Sequence, residues 1–410
     1  MRRCARAGLI LAQVSLVLGA CTNSPPATVE PTARPPSAAP APQASPLPGT
    51  ADPVVVSRQT GASTASVEPL LPRATEPGDV LADAALAERL DSALAAEEFD
   101  RLSSLLVLAE GRTVYERYFT RYFGSEPAQP HHVASVTATV VGTLVGIAIG
   151  EGMIRGVDQT VGELLPEHAR DMSPAVSDVT LRQVLTNTAG FSSESPVDGI
   201  GRADDWIASV LRAPAQSPGE GFLWSDGGAH LLSAILVQAT GMSVLRYART
   251  RLFEPLGIAS TPTPGAADRA DRLEGPGFAW AVDPQGLHIG AYGLRLSAQD
   301  MARVGLLYLE DGQWRGRQVV PRSWVRRATR THVEVSSVDG YGYQWWTSTT
   351  YDHQPFFYSA SGSDMLLVVP SRDLVVAFQC PWDPAVEAEA PCFGDVRELV
   401  YSELLPLFAP

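Results

Sequence analysis

The chain has 410 residues, a formal charge of −14 at pH 7, and 45% hydrophobic residues. Those numbers suit one large globular domain with a substantial core, and the acidic balance argues against nucleic acid as a partner held through phosphates. The 31 basic residues are all arginine and none is lysine; a guanidinium keeps its proton at every working pH, so it cannot replace a lysine as a base.

The N-terminus reads as targeting rather than fold. "MRRCARAGLILAQVSLVLGAC" starts with Arg2, Arg3 and Arg6, runs apolar from Gly8 to Ala20 and ends in small residues. That is the build of a secretory signal peptide over residues 1–20. The apolar run is shorter than the about 20 residues a membrane span needs. "LGAC" at 18–21 has the form of a bacterial lipobox, which makes Cys21 the expected lipidated first residue. The alternative is an ordinary cleaved signal with an incidental cysteine. Residues 21–76 are rich in Pro, Ala, Ser and Thr, a composition that cannot bury enough apolar surface to offset its ordering entropy. They read as a disordered, semi-rigid tether. The expectation is a protein held to a membrane through Cys21, periplasmic or at the cell surface.

The folded part is expected over 77–410. Residues 77–99 have helical periodicity. "SLLVLAEGRTVYERYF" at 104–119 reads as a hairpin around a Glu-Gly-Arg turn. Residues 135–152 are apolar on almost every side, as in a buried helix, and three internal glycines argue against a membrane span. A mostly helical lobe is expected at about 155–275, and 296–312 reads as a helix with a serine cap. "YGYQWWT", "FFYSAS", "MLLVVP" and "DLVVAFQC" read as antiparallel strands, and "CFGDVRELVYSELLPLF" as a closing helix. The order predicts an α+β fold: one antiparallel sheet built from both chain ends, flanked by helices, with the helical lobe inserted. A cleft between two such parts is a natural ligand site. Cys380 and Cys392 flank a polar, Pro-bounded loop, a spacing that suits a disulfide in an oxidising compartment. Two unrelated buried thiols are the alternative.

"VASVT" (133–137), "LRQVLTNTAGF" (181–191), "RLFEPLGI" (251–258), "GLRLSAQDMARVGLLYLEDGQWRG" (293–316), "YGYQWW" (341–346) and "VVPSRDLVV" (368–376) stand in this order along the chain. Together they resemble the serine β-lactamase and penicillin-binding protein superfamily, in the class C β-lactamase-like branch with its esterases and D-amino-acid peptidases, over about residues 80–410. The resemblance implies a serine nucleophile in S-x-x-K, a tyrosine in Y-x-N that shares the proton work with the lysine, and a K-T-G or H-x-G motif on a strand edge. A serine hydroxyl is a weak nucleophile until a base accepts its proton.

Each motif is present here in a degraded form. Ser135-Val136-Thr137-Ala138 keeps the serine, with Ala138 in the lysine's place. Trp224-Ser225-Asp226 stands for Tyr-Ser-Asn; indole only donates, and Asp226 brings a charge where a neutral amide would sit. Ser225-Asp226-Gly227 read as an S-D-N motif shifts the register and still lacks the asparagine, so it counts as coincidence. Ser361-Gly362-Ser363 occupies the third motif, with Ser361 at the cation's position and Gly362 and Ser363 as pocket residues. Backbone amides at Ser135 and near Ser363 are the oxyanion donors the resemblance implies.

Ser135 is therefore either a nucleophile, kept or vestigial, or a helix-terminal serine satisfying free amides, and the second reading is preferred. His131, His132 and Asp226 are the candidate replacement bases, while His353 lies in a loop before a strand and nothing singles it out. Asp226 qualifies only if burial raises its pKa, and the two adjacent histidines read more simply as surface or strand-edge residues. The histidines are scattered without ligand spacing, so neither a metal nor another cofactor is expected. Two functions follow. One is a catalytically silent binding or scaffold protein for a cell-wall fragment or a protein partner. The other is a serine hydrolase of esterase, β-lactamase or D-amino-acid peptidase type, driven from Ser135 by Asp226 or His132.

Overall fold

The structure, a computed structural model, describes residues 88, 90, 92, 94, 102–118, 129–191, 203–212, 214, 216–263, 277–350, 353–360, 364–380 and 392–408. The signal and tether expectations at 1–76, Cys21 among them, and the third-motif residues Ser361, Gly362 and Ser363 lie outside the described residues.

The N-terminal hairpin forms as expected from β1 (Ser104–Ala109) and β2 (Arg112–Tyr118). Its turn places Glu110 and Gly111 in the left-handed region, at φ 50° and 70°, the turn geometry that follows strand twist. A two-residue strand β3 (His131–His132) leads into helix α1 (Val136–Gly150). Short helical segments follow between Val161 and Leu185, then α2 (Trp206–Arg212), α3 (Asp226–Thr240) and α4 (Val244–Ala248). Strand β4 (Arg295–Leu296) pairs with β3 and precedes α5 (Ala298–Leu309). Ser297 caps α5 in a reciprocal box: its hydroxyl accepts from Asp300 N at 3.1 Å, and the Asp300 carboxylate accepts from Ser297 N at 3.1 Å.

The C-terminal part gives a small hairpin, β5 (Gln313–Trp314) with β6 (Arg317–Gln318), and then β7 (Val333–Glu334), β8 (Asp339–Tyr341), β9 (Trp346–Ser348), β10 (Phe356–Ala360), β11 (Asp364–Val369) and β12 (Leu374–Gln379). Helix α6 (Cys392–Leu399) closes the chain with the irregular helical turns behind it. Among the described residues the main sheet is eight-stranded, in the order β2-β1-β12-β11-β10-β9-β8-β7. Its centre joins both chain ends: β1 pairs antiparallel with β12 from Ser104↔Gln379 to Ala109↔Leu374.

The three central strands are buried on both faces, which is why they read as unbroken apolar runs. Alternate side chains enter two different cores. Leu106, Leu108, Leu366, Val368, Val375 and Ala377 pack in a cluster with α1 and α5. Leu105, Val107, Leu367, Val369, Val376 and Phe378 face Leu90, Val396, Leu404 and Phe408 of the terminal segments.

"YGYQWWT" is not one strand. Tyr341 ends β8, Trp346 starts β9, and Gly342–Trp345 is the turn between them, closed by Gly342 N to Trp345 O at 2.8 Å. Gln344 takes φ 59° there because its buried amide is held by the carbonyls of Val184 and Leu185. The glycines of α1 serve packing. A Cβ on Gly146 would stand 2.3 Å from the Trp324 indole, and one on Gly150 would stand 2.4 Å from Pro321. Among the described residues no single helix is long and apolar enough to cross a membrane.

Candidate active site

Ser135 sits at the entrance to α1, as expected, but it does not cap the helix. Its backbone is helical, φ −67° and ψ −9°, and its side chain makes no capping hydrogen bond. A cap needs an extended backbone to swing its oxygen over the first turn. The amides of that turn are served otherwise: Val136, Thr137 and Ala138 N–H donate to the carbonyls of Val133, Ala134 and Ser135 at 2.9, 3.0 and 3.0 Å. The preferred helix-terminal reading of Ser135 is thereby corrected. Among the described residues its Oγ has no hydrogen-bond partner. Ala134, just before it, is held at φ 39°, a left-handed conformation that costs a residue with a Cβ roughly 1–2 kcal/mol.

Ala138, one turn along, is 2% exposed. It belongs to a buried cluster with Trp206, Ala229, Ala281, Ile289, Ala291 and Tyr292, so a lysine chain there would have to enter a packed, largely apolar environment. Helices α1 and α3 pack on each other; Ala138 in the first turn of α1 and Ala229 in the first turn of α3 belong to one buried cluster, so the two helix starts flank it. Ser135 and Asp226 stand at those starts. On the sheet side, the Thr139 hydroxyl donates to Gln344 O at 2.6 Å and, its one proton spent there, accepts from Ser359 Oγ at 2.7 Å, fixing α1 on β10.

Ser225 is the N-cap of α3, accepting from Gly228 N at 2.8 Å, which gives that serine a structural task. Asp226 is the first helical residue. Its Oδ1 accepts the Trp224 indole N–H at 3.1 Å. Burial pushes the Asp226 carboxyl above its ordinary range, and the Trp224 hydrogen bond only partly opposes that. The Trp224 ring stacks on Trp346 at 6.1 Å between centroids and 7° between planes, and Trp346 stacks on Tyr358 at 6.1 Å and 10°. Tyr341 stands edge-on to both tryptophans, at 6.1 and 5.1 Å, and Phe222 tilts against Tyr341 at 5.2 Å. Phe222, Trp224, Trp346 and Tyr358 are half-buried, so this aromatic wall keeps contact with solvent.

The histidine candidates are accounted for differently. His131 and His132 are buried in β3 rather than at the surface, which corrects half of that reading. Burial first, and the Arg295 guanidinium second, hold both imidazoles down at about 4. His132 Nε2 accepts the Gly293 N–H at 3.0 Å, so its basic nitrogen is occupied. His353 is exposed in a turn, at φ 61°. None of them bonds to Ser135. Among the described residues no three His, Cys, Asp or Glu side chains are grouped to hold a metal ion. Cys380, at the end of β12, is disulfide-bonded; the Cys392 side chain lies outside the described residues.

Sequence reasoning passed over three residues that build this region. Asn187 takes φ 54° and is buried, with no hydrogen-bond partner for its Oδ1 among the described residues; its carbonyl accepts Leu223 N at 2.8 Å and so positions the segment carrying Trp224. Tyr341 and Trp346 complete the aromatic wall. Asn187 lies in a stretch noted only as family text, and Tyr341 and Trp346 in one also read as a strand; the two aromatics flanking a turn were the available signal.

A family model described as Beta-lactamase matches residues 93–396. The Beta-lactamase of Escherichia coli (strain K12) is 29% identical over 136 residues, which is 30% of this chain and 34% of that protein; the match thus spans about a third of the curated relative. Among solved structures, the class C β-lactamase of Rhodobacter sphaeroides is 20% identical with a TM-score of 0.57, covering 77% of this chain and 99% of that one. EstCE1, a hydrolase with promiscuous acyltransferase activity, is 17% identical with a TM-score of 0.60, covering 78% and 100%. The "Putative 6-aminohexanoate-dimer hydrolase from Bacillus anthracis" is 20% identical with a TM-score of 0.54, covering 77% and 82%. These structural likenesses establish the shared fold. The match over residues 93–396 takes in the Ser135 turn, the Trp224–Asp226 segment and the sheet, and by it the chain belongs to the β-lactamase family.

Proposed function

We propose that this chain is a bacterial cell-envelope lipoprotein whose β-lactamase-family domain is catalytically silent and holds a cell-wall fragment or a protein partner. The observation that carries the reading is the isolation of Ser135. Its hydroxyl has no base at hydrogen-bond distance among the described residues, and Ala138 is walled in by apolar side chains. Trp224, at the tyrosine's place, donates to Asp226. A general base must reach the proton it removes, within about 2.6–3.2 Å or through one water. The lipid anchor at Cys21 and the tether rest on the sequence alone. The test is to expose the purified domain to a fluorophosphonate and to a penicillin, then read its intact mass. The silent reading expects unmodified protein; stoichiometric labelling that Ser135→Ala abolishes would contradict it.

One observation favours a second reading. Burial raises the Asp226 carboxyl pKa, the direction a carboxylate base requires. In that reading the domain is a serine hydrolase of esterase, β-lactamase or D-amino-acid peptidase type, in keeping with the hydrolases among its structural neighbours. Asp226 would have to exchange Trp224 for Ser135. Labelling of the wild type that is lost in Asp226→Asn selects this reading.

A further inference from the structure

At the C-terminal end of α3 a cavity of about 260 Å³ opens between that helix's last turn, α2, the 166–171 turn and the Asp283–His288 turn. Fifteen residues at about 1.5 Å each put the two ends of α3 roughly 20 Å apart, so the cavity is distinct from the Ser135 region. Its floor is apolar, formed by Ile207, Ala234, Val237, Met242, Val244 and Leu287. Its volume lies just under the usual range of about 300–1,000 Å³ for ligand pockets, so an occupant must be small.

The rim sets the charge. Glu167, Asp205 and Asp283 line the cavity together with His168 and His288, and no arginine does. Asp283 is already engaged: Oδ1 accepts Gln285 N and Leu287 N at 2.9 Å each, and Oδ2 meets His230 Nε2 at 3.1 Å. Glu167 has no hydrogen bond or ion pair among the described residues. Asp205 commits only Oδ1, which accepts Ala208 N at 2.9 Å. The last turn of α3, closed by Gly241 at φ 67°, presents the partial negative end of the helix dipole to the same space. An anion would meet two carboxylates and that helix end. A neutral apolar molecule would leave the carboxylates unused.

We propose that this cavity binds a small organic cation, an ammonium on a short apolar body, with the body on the Ile207, Val237 and Met242 floor and the charge between Glu167, Asp205 and the end of α3. The assignment stands apart from the Ser135 reading and holds whether or not the domain is an enzyme.

The test is calorimetric titration of the folded domain at pH 8, where an unperturbed imidazole is neutral, with 2-phenylethylammonium, 2-phenylethanol and 3-phenylpropanoate. The ammonium is expected to bind at least tenfold more tightly than the alcohol, and the carboxylate least. Glu167→Gln with Asp205→Asn keeps the acceptor for Ala208 N and should erase the ammonium's advantage while leaving the alcohol unchanged. Gln238→Trp, at the exposed rim, should block both probes without disturbing the core. Asp226→Asn, at the other end of α3, should leave the ammonium's affinity for this cavity unchanged. Equal binding of ammonium and alcohol would overturn the cation assignment. Binding that survives Gln238→Trp, or no binding of any probe, would overturn the site.

Discussion

The Trp224 indole N–H and the Asp226 carboxyl are hydrogen-bonded to each other at 3.1 Å, so the two residues standing where the family carries its tyrosine and asparagine are engaged with each other and not with Ser135. The stack of Trp224 on Trp346 fixes the indole further. Refitting this site for proton transfer would mean dismantling an aromatic wall as well as supplying a base.

Ala138→Lys alone is therefore expected to give no activity and to destabilise the domain by about 3 kcal/mol or more, since an amine would enter the cluster of Ala229, Ala281 and Ala291 without a partner. Ala138→Lys with Trp224→Tyr and Asp226→Asn is the combination that can rebuild the relay. Urea unfolding checks the first statement and nitrocefin turnover the second.

Asp226→Asn should stabilise the domain at neutral pH. The folded-state pKa is raised, so the folded protein binds more protons than the unfolded chain above the ordinary aspartate value, and stability falls as pH rises through that window. The gain from asparagine should shrink as pH is lowered below the ordinary aspartate range. Melting temperatures of both proteins from pH 3 to 8 measure it.

The buried histidines act in the opposite direction. Their folded pKa values are lowered from 6.5 to about 4, so stability is full above about pH 6.5 and is lost as pH falls toward 4, by on the order of 3 kcal/mol per imidazole. His132→Gln should flatten the acid limb of the stability curve.

Ser135→Ala is expected to change stability by less than about 0.5 kcal/mol, because the hydroxyl has no hydrogen-bond partner among the described residues. Ala134→Gly should stabilise by up to about 1 kcal/mol by relieving φ 39° without a Cβ. Chemical denaturation of the two variants separates a strained turn from a structurally useful serine.

Cys392 is the expected partner of Cys380, and peptide mapping without reductant should yield the linked pair. Closing that loop contributes about 3 kcal/mol in the chain-entropy description. Free Cys392 would remove the pairing.

The sheet was legible because β1, β11 and β12 are buried on both faces, so "SLLVLA", "MLLVV" and "LVVAF" are unbroken apolar runs. Ser135, Ala138, Trp224 and Asp226 were legible as positions because the text around them follows the family. Their state was not. Whether Ser135 caps α1 depends on the backbone at Ala134 and Ser135, which β3–β4 pairing and the Val133 N to Leu294 O bond impose from residues about 160 positions away. The fate of His131 and His132 depends on burial beside Arg295, equally non-local. "YGYQWW" has strand composition, and only the tertiary hold on Gln344 makes it a turn.

The central claim, that Ser135 is no longer a working nucleophile, is tested most directly by turnover of nitrocefin, a p-nitrophenyl ester and a D-Ala-D-Ala peptide by the wild-type domain beside Ser135→Ala. The account predicts equal, near-background rates for the two proteins on all three substrates. Wild-type turnover well above Ser135→Ala on any of them would contradict it and make the domain a serine hydrolase with an unusual base.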